Sequence, residues 1–288
     1  MLKNFPVKGK RKGGIFIKRL SNFTYDPKRG GVFAPKFQLV PYPSPIMRRQ
    51  VLYDILKDLP SRDDCNKYIE IGYGTGIFAY EFYRMGYDVY GYDLSESAYN
   101  TTQELFNSDK QRLELKRELT DEDSAAYDIL GAYEVLEHCE NDAEILTGWR
   151  ELLKDGGLLL LSVPAHMKDF GLRDKWAGHF RRYEREGLQR LLKDSGFEVV
   201  RLISYGFPLP KLMNKATEIL VDKPHLKRLE KSDEAHKTSV SGVERVEEYK
   251  FKKILPYRIF VLFSKIQRLF YNSDLGIGYV IAARKVLK

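Results

Sequence analysis

The most constraining feature of this chain is Tyr68-Ile-Glu70-Ile-Gly72-Tyr-Gly74-Thr-Gly76, where an apolar run gives way to a helical pattern through three glycines in five residues. Glycine lets a backbone turn sharply and approach a ligand that any Cβ would push away. A glycine loop between a strand and a helix belongs to parallel α/β sheets, which bind ligands at the carboxyl ends of their strands. The next apolar run, Asp88-Val-Tyr-Gly-Tyr-Asp93, ends in a carboxylate placed to accept hydrogen bonds from both hydroxyls of a ribose. The dinucleotide fingerprint requires glycine three positions after the second one, and that position is Ile77. Glu70 at the strand end suits a ligand with a positive amino group and would repel a pyrophosphate.

The flanking pattern supports an α/β reading. Apolar runs predict strands at Lys67–Ile71, Asp88–Tyr92, Asp128–Tyr133 and Leu158–Val163, with a weaker one at Arg112–Lys116. Helical periodicity predicts Ile77–Met85, Glu96–Asn107, Asp142–Leu153 and Arg185–Ser195. Lys154-Asp-Gly-Gly157 reads as a helix stop and turn, and Phe197–Ile203 and Gly278–Arg284 supply two further strands. Strands alternating with helices imply βαβ units and a mostly parallel sheet. Four segments follow: a basic accessory segment with a leading helix over 1–60, a core over 61–205, a helical insertion over 206–275, and a closing strand over 276–288. Pro41-Tyr-Pro-Ser-Pro45 reads as too proline-rich for helix, so the leading helix is expected from Ile46 until Pro60 stops it.

Charge follows the same division. Residues 1–60 hold 13 basic and 3 acidic side chains (+10), 61–200 hold 17 and 28 (−11), and 201–288 hold 18 and 9 (+9), which sum to +8. Basic flanks can attract the phosphates of lipids, nucleic acids or substrates, or simply balance the acidic centre. Two cysteines, Cys65 and Cys139, exclude a disulfide framework. The basic start lacks the apolar stretch of a secretory signal, and no window approaches 18 apolar residues, so a cytoplasmic protein, possible peripheral contact with a membrane aside, is expected.

These motifs, taken in order, resemble the class I S-adenosylmethionine-dependent methyltransferases, among them the ubiquinone-pathway O-methyltransferases. The resemblance rests on Glu70-Ile-Gly-Tyr-Gly-Thr-Gly76, on Gly91-Tyr-Asp93-Leu-Ser, on Tyr127-Asp-Ile-Leu-Gly-Ala-Tyr-Glu-Val-Leu-Glu-His138, and on Leu153-Lys-Asp-Gly-Gly-Leu-Leu-Leu-Leu-Ser-Val-Pro164. It implies a Rossmann-like α/β fold with a seven-stranded sheet, an N-terminal extension and a helical insertion before the last strand. It implies S-adenosyl-L-methionine (SAM) as cofactor, with Glu70 at its amino end, Gly72, Gly74 and Gly76 beneath it, Asp93 on the ribose, Leu94 on the adenine and Glu118 at the adenine side. Tyr73 stands where relatives often have cysteine.

Methyl transfer to a hydroxyl needs an aligned acceptor and a route for its proton. His138, His179 and Glu137 are the catalytic candidates, near the carboxyl edge of the sheet. His166, Arg181, Arg182 and Tyr183 are candidate substrate contacts, the two arginines either gripping an anionic acceptor or pairing with carboxylates such as Glu184 and Glu186. Glu134, Glu137 and His138 stand at i, i+3 and i+4. With His179 they resemble the ligand set of metal-dependent O-methyltransferases, so a divalent metal stands as an alternative to a metal-free histidine base. The expected acceptor is a small molecule, a saccharide or a lipid-linked compound. An RNA methyltransferase and a non-catalytic SAM-binding protein are the rival readings, although no RNA-binding module stands out. Apolar residues recur at helical spacing over Arg258–Tyr271 among basic ones, giving either a lid on the core or an element lying on an anionic membrane surface.

Overall fold

The computed structural model describes residues 24–26, 31–33, 43–58, 66–105, 112–220 and 257–287. A short antiparallel hairpin, β1 (Thr24–Asp26) and β2 (Gly31–Phe33), precedes helix α1 (Pro43–Asp58). The core then alternates: β3 (Lys67–Ile71), α2 (Ile77–Met85), β4 (Asp88–Tyr92), α3 (Glu96–Leu105), β5 (Leu113–Lys116), β6 (Tyr127–Tyr133), α4 (Asp142–Leu152) and β7 (Leu153–Pro164). Helices α5 (Leu172–Ala177) and α6 (Arg185–Asp194) lead to β8 (Phe197–Tyr205). Helices α7 (Leu209–Leu220) and α8 (Tyr257–Ile266) lie before the closing strand β9 (Gly278–Lys285).

Seven strands form one sheet in the order β5-β4-β3-β6-β7-β9-β8. The first five are parallel, and β9 runs antiparallel to both β7 and β8. The chain works outward from β3 to β5 and then returns to β6, so the strand order reverses between β3 and β6. An open α/β sheet has its binding crevice at such a point, beyond the carboxyl ends of the strands. Glu70 and the glycine loop end one of these strands, and Glu134–His138 follows the other.

The sheet is buried on both faces, as its unbroken apolar strands require. Leu158 and Leu160 of β7 join Met47, Val51 and Ile55 of α1 and Phe82 of α2 on one face. Leu159, Leu161 and Val163 join Leu146 and Trp149 of α4 and Leu188 and Leu192 of α6 on the other. Each fully buried leucine contributes about 1.5–3 kcal/mol relative to exposure. Alternation along one strand thus supplies both cores.

Three expectations are corrected here. Helix α1 begins at Pro43 rather than Ile46, because the first turn makes no use of the N–H groups that Pro43 and Pro45 lack. Lys154–Gly157 bulges within β7 instead of preceding it: Tyr127 pairs with Leu153, but Ile129 pairs with Leu158. The helix expected over Arg258–Tyr271 ends at Ile266 and tightens into a 3-10 turn, Gln267–Phe270. The middle of the expected insertion, residues 221–256, and the basic run at 8–12 lie outside the described residues. Among the described residues no helix is long and apolar enough to cross a membrane.

Candidate active site

The glycine loop takes the conformation its sequence demands. Gly72, Gly74 and Gly76 have φ of 66°, 52° and 69°, a left-handed region that side chains rarely adopt. A Cβ on Gly72 would meet Val135 at 2.7 Å, and one on Gly76 would meet Thr102 at 2.6 Å. The loop is tied to β4 by Asp93, whose two carboxylate oxygens accept from the Gly74 N–H at 2.9 Å and the Ser95 N–H at 2.8 Å. Burial raises the Asp93 pKa against those two bonds. Leu94, beside it, is 75% exposed, an apolar surface at the crevice edge without a cover, and Glu118 is exposed beyond β5.

Glu70 lies deeper, 3% exposed, and accepts from the Tyr68 hydroxyl at 3.1 Å. Burial pushes its carboxyl up to about 8, against that hydrogen bond and the charge of Arg48. A carboxylate so placed is poised to ionise when a cationic group arrives. Tyr73 turns its ring onto Gly91 and packs with Ala98 and Leu115, so its bulk goes into the core beneath the loop.

Past β6 the chain bends sharply. Glu134 has φ of 58°, and a 3-10 turn, Leu136–His138, carries the candidate catalytic residues. Ligand-type atoms of Glu137, His138 and His179 lie within 4.8 Å of one another. Glu137 is fully buried, its Oε1 3.9 Å from His179 Nε2, and the two imidazole rings meet edge to face at 4.7 Å. His179 Nδ1 stands 2.9 Å from Asp174 Oδ1. Burial would raise the Asp174 pKa, but hydrogen bonds from His179 and a bidentate Arg182 hold it at about 2. Asp174 holds the ring through Nδ1 and so turns Nε2 toward Glu137.

The remaining candidates divide between this cluster and its supports. Arg182 pairs with Asp174 and donates to Ala165 O, while Arg181 pairs with Asp142 at 2.9 Å. Their partners are therefore not Glu184 and Glu186, and both guanidiniums brace the segments that carry His179 and His138. The Tyr183 hydroxyl lies within hydrogen-bond reach of two acceptors, Asp142 Oδ2 at 3.1 Å and Leu136 O at 3.3 Å, which share its one proton. His166, with φ of 65°, packs against Tyr279 with Nδ1 3.4 Å from Glu184, apart from the trio. Glu134 also stands apart, at 3.0 Å from the Arg48 guanidinium of α1.

Arg48 and Asp174 are the residues that the motif reading missed. Arg48 shares the spacing of Val51, Leu52 and Ile55, which places a cation on the buried stripe of α1. That misplaced charge was the available signal. Asp174 carries none, since its partners lie on a loop five and eight residues later.

Residues 46–202, just over half the chain, match the family model described as a methyltransferase domain. The chain belongs to the class I SAM-dependent methyltransferases. It is 31% identical over 140 residues to the ubiquinone biosynthesis O-methyltransferase of Cereibacter sphaeroides, covering 46% of this chain and 56% of that one. It is 30% identical over 103 residues to the enzyme of that name from Acinetobacter baylyi, covering 34% and 43%. The match thus spans about half the length of these curated relatives. Among solved structures, a putative sarcosine dimethylglycine methyltransferase from Galdieria sulphuraria superposes with a TM-score of 0.53 at 10% identity, covering 89% of this chain and 92% of that one. An S-adenosylmethionine dependent methyltransferase from Mesorhizobium loti gives 0.50 at 13%, covering 83% and 97%. At such identity they show the shared fold.

The cradle of this chain fits SAM: Gly72 and Gly76 have no room for a Cβ, Asp93 keeps lone pairs free, Leu94 is bare, and Glu70 is a buried carboxyl suited to an ammonium.

Proposed function

We propose that this protein transfers a methyl group from SAM to a hydroxyl of a small-molecule, saccharide or lipid-linked acceptor. The observation that carries the acceptor chemistry is the convergence of Glu137, His138 and His179 past β6, with Asp174 holding the ring of His179. The relatives named as O-methyltransferases support the same reading. When bound, SAM supplies an electrophilic methyl on its sulfonium. Glu70 would hold its ammonium, Asp93 its ribose hydroxyls and Leu94 one face of its adenine.

The trio also fits a divalent cation: one carboxylate, His179 Nε2, a neighbouring imidazole, and a carboxylate behind the histidine, the arrangement common to metal-bound histidines. Such a cation would lower the pKa of an acceptor hydroxyl beside it. Glu137 and His138 would orient it, Asp174 and Arg182 would hold His179 in register, and Tyr183 with Asp142 would fix the turn that bears both ligands.

Incubation with methyl-labelled SAM and fractionated cell extract, with and without chelator, tests this reading. Label is expected in a hydroxyl-bearing product, lost with chelator and restored by magnesium or manganese, and reduced about 10²–10⁴-fold by His179→Ala. Label retained under chelation would leave His179 as a metal-free base. No labelled product from any fraction would count against catalysis altogether.

A further inference from the structure

The glycine loop leaves a buried polar group without a partner. The Gly74 N–H donates to Asp93, the Gly74 carbonyl accepts from the Thr102 hydroxyl at 3.2 Å, and the Tyr73 carbonyl accepts from the Gly76 N–H at 2.7 Å. The Tyr73 hydroxyl, by contrast, is buried and has no hydrogen-bond partner among the described residues. Its ring lies across β4, where a Cβ on Gly91 would stand 2.7 Å from Tyr73 Cδ1, and packs with Ala98 of α3 and Leu115 of β5. Phenylalanine would fill that space without burying a hydroxyl, and a buried hydroxyl without a partner destabilises a fold. Packing alone therefore does not explain a tyrosine here. Gly91 pairs with Leu115, and side chains alternate along a strand, so Asp93 and Arg117 are the next positions on the same face. The ring thus stands one layer in from the rim of the crevice, and its hydroxyl feels both charges: burial raises its pKa, Asp93 adds to the rise and Arg117 opposes it. Such a hydroxyl keeps its proton and is a donor.

We propose that Tyr73 is a binding residue for the nucleoside of the cofactor, its hydroxyl donating a hydrogen bond from the floor of the site when the nucleoside is bound. The inference rests on the SAM reading above and adds a contact to it. A nucleoside brings acceptors, its ring nitrogens and ribose oxygens, as well as donors. Asp93, when ionised, can only accept, and Leu94 can only pack, so neither meets those acceptors. The Tyr73 hydroxyl supplies the missing donor. Arg117, whose charge it feels, is exposed and has no hydrogen-bond or ion-pair partner among the described residues, so a bound nucleoside can turn it aside. A hydroxyl that bonds nothing in the free chain also gives up no bond when the ligand arrives, which puts its contribution at the upper end for one hydrogen bond. Were the ring only core filling, phenylalanine in its place would leave ligand affinity as it is.

The test is calorimetric titration of the full chain, wild type and Tyr73→Phe, with two ligands. One is S-adenosylhomocysteine, and the other is methylthioadenosine, which carries the nucleoside without the amino-acid end. Melting curves are recorded on the ligand-free proteins. Tyr73→Phe is expected to bind both ligands more weakly by the same factor, roughly 5–10-fold. It is also expected to melt no lower than the wild type, because the lost hydroxyl bonded nothing in the free chain. Unchanged affinity for both ligands would overturn the proposal. So would a loss confined to S-adenosylhomocysteine, which would put the contact at the amino-acid end. A Tyr73→Phe protein that melts lower or does not fold would show the hydroxyl already bonded within the chain, and would overturn it too. No binding of either ligand by the wild type would overturn the SAM reading and this proposal with it.

Discussion

Cofactor binding should be coupled to proton release through Glu70. Its carboxyl is pushed up to about 8 chiefly by burial, which outweighs the Tyr68 hydrogen bond and the Arg48 charge. At pH 7, one unit lower, about nine in ten Glu70 side chains carry a proton, and ionising them costs about 1.4 kcal/mol. An ammonium group settling beside Glu70 needs the ionised form, so binding should release about 0.9 proton at pH 7 and strengthen about ninefold from pH 6 to pH 7. The effect on stability has the opposite sense. The folded pKa lies above the ordinary 4.5, so between about 4.5 and 8 the folded chain holds a proton that the unfolded chain has lost. The ligand-free protein should therefore lose stability as pH rises through that window. Calorimetry of SAM binding in buffers of different ionisation enthalpy counts the released protons directly. Glu70→Gln should abolish the release and flatten the dependence between pH 6 and 7. Measurable binding at pH 7 without proton release, or release unchanged in Glu70→Gln, would refute the argument.

Asp93→Ala removes the acceptor for the Gly74 and Ser95 N–H groups as well as for a ribose, and should weaken SAM binding by about 1–3 kcal/mol, read by calorimetry on the folded variant. Asp174→Asn should leave SAM affinity unchanged while lowering turnover, because it frees the His179 ring and strips Arg182 of its bidentate partner; equal loss in both quantities would place Asp174 in cofactor binding instead. Helix α8 buries Phe260 and Ser264, and Arg268 just beyond it is paired to Asp54, so among the described residues Leu262, Lys265 and Leu269 are left to face outward, a small face with one unpaired cation. We accordingly expect no salt-sensitive co-sedimentation with anionic vesicles; its appearance would make this face a membrane contact.

The parallel half of the fold was legible because its signals are local. Three glycines with forced backbone angles, a carboxylate ending the next strand and unbroken apolar runs each stand within a few residues. Four of the five parallel strands, β3, β4, β6 and β7, fall where those runs place them, apart from the bulge at Lys154–Gly157, which needs a neighbouring strand to reveal it. The hairpin β1–β2 was missed because three-residue strands are too short for alternation to register. In the site, Glu70, Asp93, Glu137, His138 and His179 belong to motifs, so their types and spacing announce them. Arg48 and Asp174 act through partners distant in the chain, or on a separate loop, and their roles exist only once β6, β7 and α1 have packed. Arg181 and Arg182 show the converse: their sequence suits an anionic ligand, but the folded chain supplies Asp142 and Asp174 first.

The most direct test of the account is a crystal structure of the protein with S-adenosylhomocysteine and Mn²⁺, using anomalous scattering to locate the metal. The account predicts the amino end at Glu70, the ribose hydroxyls on Asp93, the adenine against Leu94, and a manganese peak among Glu137, His138 and His179. A nucleoside bound away from Asp93 and the glycine loop would contradict it.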